Sequence, residues 1–315
     1  MSNFTTESLD GNLKNTLQDK VILVTGAGNG IGRAIAHYCA AQGARVVVND
    51  FGTSLTGDKE ESSPAEKVVN EIKEAGGQAV ANQDSVSDPE GAQRMVDLGV
   101  ETWGRIDGVV NNAGVLRDKI FHKMSLDDWK LVIDTHLNGS FYTSIAAAQH
   151  FKAQGSGAFV HMTSPTGVVG MLGQANYGAA KSGIIGLSKA IALDMKRAGV
   201  RSNTVSPSAF TRMLDNIVAE TPEQKARLAK AKLNTPEKVA PLIAYLLSDL
   251  AEGITGQIFG VRRNELMLFN QIRPIRSVAY GDGWTQEAIH DSAMPSMKRF
   301  FTPLDGGEYF AWDSM

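Results

Sequence analysis

The sequence predicts an α/β fold, a single domain on a doubly wound parallel sheet, and three observations carry that prediction. From Lys20 onward, short β-branched runs alternate with longer stretches of helical period. The first run, Val21 to Val24, passes straight into the glycine turn Thr25-Gly-Ala-Gly-Asn-Gly-Ile-Gly32. The 315 residues, 43% hydrophobic and 21% charged, suffice for one large α/β domain or two ordinary ones with a sizeable core.

The strands expected in order are Val21 to Val24, Arg45 to Asn49, Gln78 to Ala81, Gly108 to Asn111, Gly157 to Met162, Val200 to Val205 and Gln257 to Val261. Between them the spacing predicts helices over Ile31 to Gln42, Pro64 to Ala75, Pro89 to Trp103, Leu126 to Gln154 and Tyr177 to Ala198, each long enough for a right-handed crossover. Residues 1–18 are polar and aperiodic and read as a loose leader, residues 19–261 as the sheet domain. Residues 262–315 read as an extension interrupted by Pro274, Pro295 and Pro303. Its eight aromatics, Phe269, Tyr280, Trp284, Phe300, Phe301, Tyr309, Phe310 and Trp312, predict packing on the main domain or on a neighbouring subunit.

Charge and cysteine content narrow the function. With 31 basic and 34 acidic side chains the net charge is −3, which argues against a nucleic-acid surface. The single cysteine, Cys39, forms no internal disulfide and excludes a cysteine-based metal cluster; no metal is expected and an intracellular, cytoplasmic location is. No run approaches the ~20 apolar residues that span a bilayer, and no secretory leader is visible, so no membrane anchor is expected.

A buried strand, a glycine turn and a helix in that order aim helix N-terminal N–H groups at a pyrophosphate, the Rossmann arrangement. A glycine turn alone is weak, but here a second strand follows and ends in an acid, Asp50. A carboxylate there can accept hydrogen bonds from both adenosine ribose hydroxyls and repels a 2′-phosphate; its neighbours are Phe51 and Gly52, not arginine. The reading is therefore NAD over NADP. Asp84, at the end of the third strand beside Ser85, has two readings: contact with the adenine amino group, or a cap for the turn to Asp88. The fourth strand ends in Asn111-Asn-Ala-Gly114, where small residues admit a flat ligand.

Tyr177 and Lys181, four residues apart at the start of a helix, share one face, and Ser164 closes a strand 13 residues before the tyrosine. A phenol with a pKa of about 10 is a poor base at neutral pH, but an ammonium and a nicotinamide cation both favour the phenolate. Tyr177 then exchanges the proton of an alcohol or ketone oxygen while hydride moves, and Ser164 holds that oxygen. Individually these residues read as a helix-surface pair and a turn former; their order behind a dinucleotide motif selects the catalytic reading.

With these motifs the sequence resembles the short-chain dehydrogenase/reductase family over roughly residues 18–260, through the glycine turn, Asn111-Asn-Ala-Gly114, Ser164, Tyr177-Gly-Ala-Ala-Lys181 and Pro207 to Thr211. The resemblance implies catalytic roles for Ser164, Tyr177 and Lys181. It implies cofactor contacts for Gly26, Gly30, Ile31, Gly32, Asn112, Ala113, Gly114, Pro207 and Thr211, with Asp50, Asp84 and Ser85 at the adenosine end. Two positions depart from the family. His136 stands where an asparagine usually holds a water in a proton relay, and is either a catalytic residue or a packed core histidine. Ser208 replaces the usual glycine after Pro207.

A narrower likeness is to the (3R)-hydroxyacyl-CoA dehydrogenase domain of multifunctional β-oxidation enzymes, which also has histidine at that position. It rests on Val48-Asn-Asp-Phe-Gly52, Val80-Ala-Asn-Gln-Asp-Ser-Val86, Gly114-Val-Leu-Arg-Asp118, His136-Leu-Asn-Gly-Ser-Phe141, Gly173-Gln-Ala-Asn-Tyr177 and Pro236-Glu-Lys-Val-Ala-Pro241. It implies an NAD-dependent enzyme acting on a 3-hydroxyacyl-CoA, including a steroid-side-chain thioester, or on a free hydroxysteroid. The alternatives are an NADPH-dependent 3-oxoacyl reductase and an NAD-binding regulatory or scaffold protein. The family also implies a lid over Arg212 to Leu233, where Met213, Leu214, Ile217 and Val218 precede Lys225, Arg227, Lys230 and Lys232. That stretch reads equally as a solvated helix face. A homodimer or homotetramer joined by the helices Leu126 to Gln154 and Tyr177 to Ala198 is expected.

Overall fold

Residues 15–52, 63–209 and 221–303 are described by the computed structural model. Strands β1 (Val21–Thr25), β2 (Arg45–Asn49), β3 (Gln78–Asn82), β4 (Gly108–Asn111), β5 (Gly157–Met162), β6 (Val200–Ser208), β7 (Ile258–Arg262) and β8 (Glu265–Leu268) form one sheet in the order β3-β2-β1-β4-β5-β6-β7-β8. Every pairing is parallel except β7 with β8. The winding direction reverses beside β1, which opens a crevice at the C-terminal ends of the strands.

Helices α1 (Gly30–Ala41), α2 (Pro64–Glu74), α3 (Pro89–Trp103), α4 (Leu126–Ile133), α5 (Gly139–Gln154), α6 (Pro165–Val169), α7 (Ala175–Asp194), α8 (Pro222–Ala231) and α9 (Ala240–Leu247) connect the strands. Local chemistry sets their ends. Ser63 and Asp88 accept N–H bonds ahead of the prolines that open α2 and α3, and Ser125 and Asp128 form a reciprocal capping box on α4. Because both sheet faces are covered, the strands read as continuous apolar runs; Ile22, Val24, Val46, Val48 and Val160 pack under α1, α2 and α9, while Val21, Leu23, Val47, Val109 and Phe159 pack under α3 and α5.

Four expectations change. Leu17, assigned to the leader, is fully buried, and its N–H donates to the Gln42 carbonyl at 3.0 Å. The sheet continues past residue 261 through β8. The helix expected over Leu126 to Gln154 is interrupted by a π-helical turn, Asp134–Asn138, whose extra residue turns His136 inward. Of the two placements expected for the aromatic tail, packing on its own domain is not met among the described residues: Tyr280, Phe300 and Phe301 are exposed, Tyr280 stacks on Trp284, and of the described tail aromatics Phe269 reaches the sheet, at Gly260. Tyr309, Phe310 and Trp312 lie outside the described residues. No helix among the described residues is long and apolar enough to cross a membrane.

One buried polar chain ties the sheet to its helices. The His161 ring faces the Asn111 amide at 3.0 Å through Nδ1 and the Ser202 hydroxyl at 3.2 Å through Nε2, and Ser202 pairs with Ser188 of α7. Since the Asn111 amide donates, Nδ1 accepts and the Nε2–H tautomer donates to Ser202. Burial lowers His161 to about 3, so the fold holds a neutral ring. The unfolded chain binds the extra proton below about 6.5, so this contribution is complete above that pH and is lost as pH falls toward 3. At pH 5 the loss is about 2 kcal/mol. Urea unfolding at pH 5, 6 and 7.5 should show this slope, and His161→Asn should flatten it; an unchanged slope in the variant would assign it elsewhere.

Candidate active site

The strand ends line one cleft. Gly26, Asn29, Gly30 and Ile31 follow β1, Asp50 and Phe51 follow β2, Asp84 to Ser87 follow β3, and Asn112 to Val115 follow β4. Met162, Thr163, His136, Tyr177, Lys181 and Pro207 complete the inner end. Gly32 lies behind the turn: a Cβ there would sit 2.2 Å from the Gly26 carbonyl oxygen and 2.5 Å from the Asn112 amide nitrogen. Asn112 explains that closeness, since its Nδ2 donates to the carbonyls of Thr25 and Gly26, each at 3.0 Å. The cradle is thus glycine-only at its tightest point, and no acidic residue occupies the first turn of α1. Both features fit a dinucleotide pyrophosphate at the helix N-terminus.

Asp50 sits at the tip of β2 with each carboxylate oxygen fixed by one backbone donor, Gly28 N at 2.8 Å and Gly52 N at 2.9 Å. Each oxygen retains acceptor capacity toward the cleft. Asp84 lines the cleft but is engaged otherwise: Oδ1 accepts from Arg94 at 2.5 Å and Oδ2 from Asn82 at 2.7 Å. Burial opposes its ionisation, but these hydrogen bonds and the Arg94 charge hold it below the ordinary carboxylate range. Ser85, Ala113, Gly114 and Pro207 fall on the cleft wall as read from the sequence; Thr211 and the early lid residues Met213 to Val218 lie outside the described residues.

At the inner end, Ser164 caps α6 by accepting the Thr166 N–H at 3.2 Å, which leaves its hydroxyl hydrogen to donate. Ser164 stands beside Tyr177, and its hydroxyl favours the phenolate. Lys181 is buried, 4% exposed, and its Nζ donates to the Met162 carbonyl at 2.6 Å and stands 5.5 Å from the Tyr177 ring centre. Burial draws this lysine down to about 7. The sequence argument that its ammonium lowers the phenol is not met by the protein alone. Burial pushes Tyr177 up, the Ser164 hydroxyl opposes this, and the Asp118 carboxylate adds to it.

His136 meets Tyr177 edge-on, ring centres 5.2 Å apart at 86°. Its Nε2 lies 2.8 Å from the Val115 carbonyl oxygen and 3.1 Å from the Val115 nitrogen, while the buried Nδ1 has no partner within the protein. Gly114 makes the room, because a Cβ there would lie 2.2 Å from the imidazole Cε1. Burial, then the Lys181 charge, pull His136 well below its usual range, against the Val115 hydrogen bond; the ring is neutral.

Several site residues were not singled out from the sequence. Thr25 accepts both the Asn112 and Ala113 N–H groups, at 3.0 and 3.1 Å, and so fixes the β4 tip to β1. Its position opening the glycine turn was the available signal. Thr163 fixes α7 through the Lys181 carbonyl at 2.8 Å. Thr166, Gln174 and Asp118 belong to a hydrogen-bonded wall whose pairing spans separate loops, a relation that periodicity does not carry.

A family model described as Enoyl-(Acyl carrier protein) reductase matches residues 26–262. A short-chain type dehydrogenase/reductase of Mycobacterium tuberculosis is 44% identical over 74% of this chain and 79% of its own length. The peroxisomal multifunctional enzyme type 2 of Mus musculus is 39% identical over 91% of this chain, which spans 39% of that enzyme. A crystal structure of a short chain dehydrogenase from Mycobacterium avium superposes with a TM-score of 0.79 at 36% identity, covering 91% of this chain and 97% of that one. The chain belongs to the short-chain dehydrogenase/reductase family, oxidoreductases acting on CH–OH groups with a nicotinamide cofactor.

Proposed function

We propose that the protein is an NAD-dependent dehydrogenase whose substrate is a (3R)-hydroxyacyl-CoA. The observation that carries this reading is the joining of two sites in one cleft: the Asp50 carboxylate at one end, and Tyr177 with Lys181, beside Ser164, at the other. Lys181 is the only cation among the described lining residues, so nothing described there favours a 2′-phosphate, and Asp50 repels one. The substrate class rests on the motif likeness around His136 and on Ile120, Phe121, Met171 and Leu172, exposed apolar residues on the loops flanking Tyr177. Lys225, Lys230 and Lys232 on and after α8 would meet coenzyme A phosphates as point charges. A steroid ring on the acyl chain fits the same apolar wall.

When bound, nicotinamide accepts or returns the hydride. Ser164 donates its hydroxyl hydrogen to the substrate oxygen. Tyr177 takes the alcohol proton during oxidation and returns it to the ketone during reduction. With the phenol pushed up, the protonated form dominates at neutral pH, so reduction has its acid ready and oxidation accelerates as pH rises. The same observation favours a second reading, reduction of a 3-oxoacyl thioester as the main direction.

Steady-state assays with 3-hydroxyacyl-CoA thioesters, free hydroxysteroids and both cofactors test the proposal. The thioester should turn over with NAD, and kcat/KM for NADH should exceed that for NADPH by at least about tenfold. Preference for NADPH would remove the role of Asp50, and turnover of the free steroid alone would reassign the substrate.

A homodimer or homotetramer would use α5 and α7, whose exposed faces carry Phe141 and Ile145, 47% and 52% exposed, on α5 and the small outward residues Ala179, Ser182, Gly186 and Ala190 on α7. The tail would then reach a neighbouring subunit. An intracellular, cytoplasmic location suits the one cysteine, which is buried, its thiol pushed up to about 12.

A further inference from the structure

Two loops at the cleft mouth are fastened together. Lys119 and Gln174 form an isolated parallel bridge, and Lys119 N donates to the Gly173 carbonyl at 2.8 Å. Gly173, at φ +79°, makes the left-handed step that delivers Gln174. The Gln174 amide uses both ends: Nε2 donates to Asp118 Oδ2 at 2.8 Å, and Oε1 accepts from Thr166 Oγ1 at 2.9 Å. Thr166 is 4% exposed and donates its N–H to Ser164 Oγ. A chain of hydrogen-bonded residues therefore runs from the surface carboxylate of Asp118 through Gln174 and Thr166 to Ser164, beside Tyr177.

Helix α6, which carries Thr166, has five residues, too few to hold its shape through its own hydrogen bonds. Its other ties include the Ser182 hydroxyl on the Gly167 carbonyl at 2.6 Å, the close seat of Gly167 against Lys181 and the approach of the Thr166 methyl to Gly178. None of these hydrogen-bonds the Thr166 hydroxyl. We propose that Gln174, anchored by Asp118, is a positioning residue that locks Thr166 and so sets the direction of the Ser164 hydroxyl. Rotation of that serine would aim its hydrogen away from the substrate oxygen.

Asp118 has a second effect, through charge. The groups beside Tyr177 are Lys181 from its own helix, His136 from the π-helical turn and Ser164; Asp118 of the β4 loop, held on Gln174 three residues before the tyrosine, adds an anionic charge that keeps the phenol protonated to higher pH.

The proposal rests on the dehydrogenase reading, and two measurements separate them. In Gln174→Glu the new carboxylate repels Asp118. The kcat should fall roughly 10- to 100-fold with little change in KM. Amide exchange of the segment 164–170 should quicken. In the double variant Asp118→Asn with Gln174→Glu, the asparagine amide donates to the glutamate, which still accepts from Thr166; this reversed pair should restore most of kcat and the slow exchange. Asp118→Asn alone keeps an acceptor for Gln174 but removes the charge, so the pH limb assigned to Tyr177 should move to lower pH. Unchanged exchange in Gln174→Glu, or no rescue in the double variant, overturns the positioning role. Exchange is read without substrate, so a wild-type protein that oxidises no alcohol refutes the dehydrogenase reading while the hold of Gln174 on Thr166 is still decided.

Discussion

Tyr177→Phe is expected to lower kcat by roughly 10²- to 10⁴-fold while leaving NADH affinity nearly unchanged. The substitution deletes one oxygen and keeps the ring, so the edge-on contact with His136 and the packing beside Leu131 and Leu137 survive. What disappears is the hydroxyl that carries the proton beside Ser164. No neighbour replaces it: Lys181 is turned to the Met162 carbonyl, and His136 is neutral with Nε2 committed to Val115. A 10³-fold loss corresponds to about 4 kcal/mol of transition-state stabilisation. Turnover in both directions, together with fluorescence titration of NADH, checks this. Equal activity in the variant would transfer the proton chemistry to another group, His136 first, through its unpartnered Nδ1.

The parts of the molecule legible in the sequence are those with a local cause. Strands β2, β4 and β5 match their expected limits because buried parallel strands write uninterrupted apolar runs, and the glycine turn is legible because backbone crowding leaves no alternative. Strand β8 was not, for an equally physical reason. It reverses through Arg263-Asn264 with Arg263 at φ +54°, a hairpin lacking the usual glycine, and is closed by the Arg262–Glu265 ion pair at 2.6 Å. The inward seat of His136 is among the readings the sequence offers, but the π-helical turn that carries it is not, because such a turn shifts a register by one residue without changing composition. The phenol's direction of shift escaped because it depends on where an ammonium points and how deeply it is buried, and helix spacing supplies neither. The Asp118–Gln174–Thr166 chain belongs to the same class, long-range geometry between two loops.

Gly32→Ala should weaken NADH binding on the order of 100-fold and destabilise the protein by about 1–3 kcal/mol. The added methyl would meet backbone on two sides, the Gly26 oxygen at 2.2 Å and the Ala27 Cα at 2.9 Å, besides the Asn112 amide nitrogen at 2.5 Å. Gly26 has little room to yield, because its own Cα side is wedged against Ala113, where a Cβ would approach Cα to 2.7 Å. Relief must come from opening the turn, which breaks the Asn112 hydrogen bonds to Thr25 and Gly26 and misdirects the N–H groups at the start of α1. Gly76→Ala is the control. Its φ of +84° carries a left-handed cost of about 1–2 kcal/mol, but a Cβ there meets nothing within 4 Å and the site is remote from the cleft. Calorimetric melting with and without NADH should therefore show both variants less stable, with ligand stabilisation lost only in Gly32→Ala. Full ligand stabilisation in that variant would mean that the glycine turn does not bear the pyrophosphate.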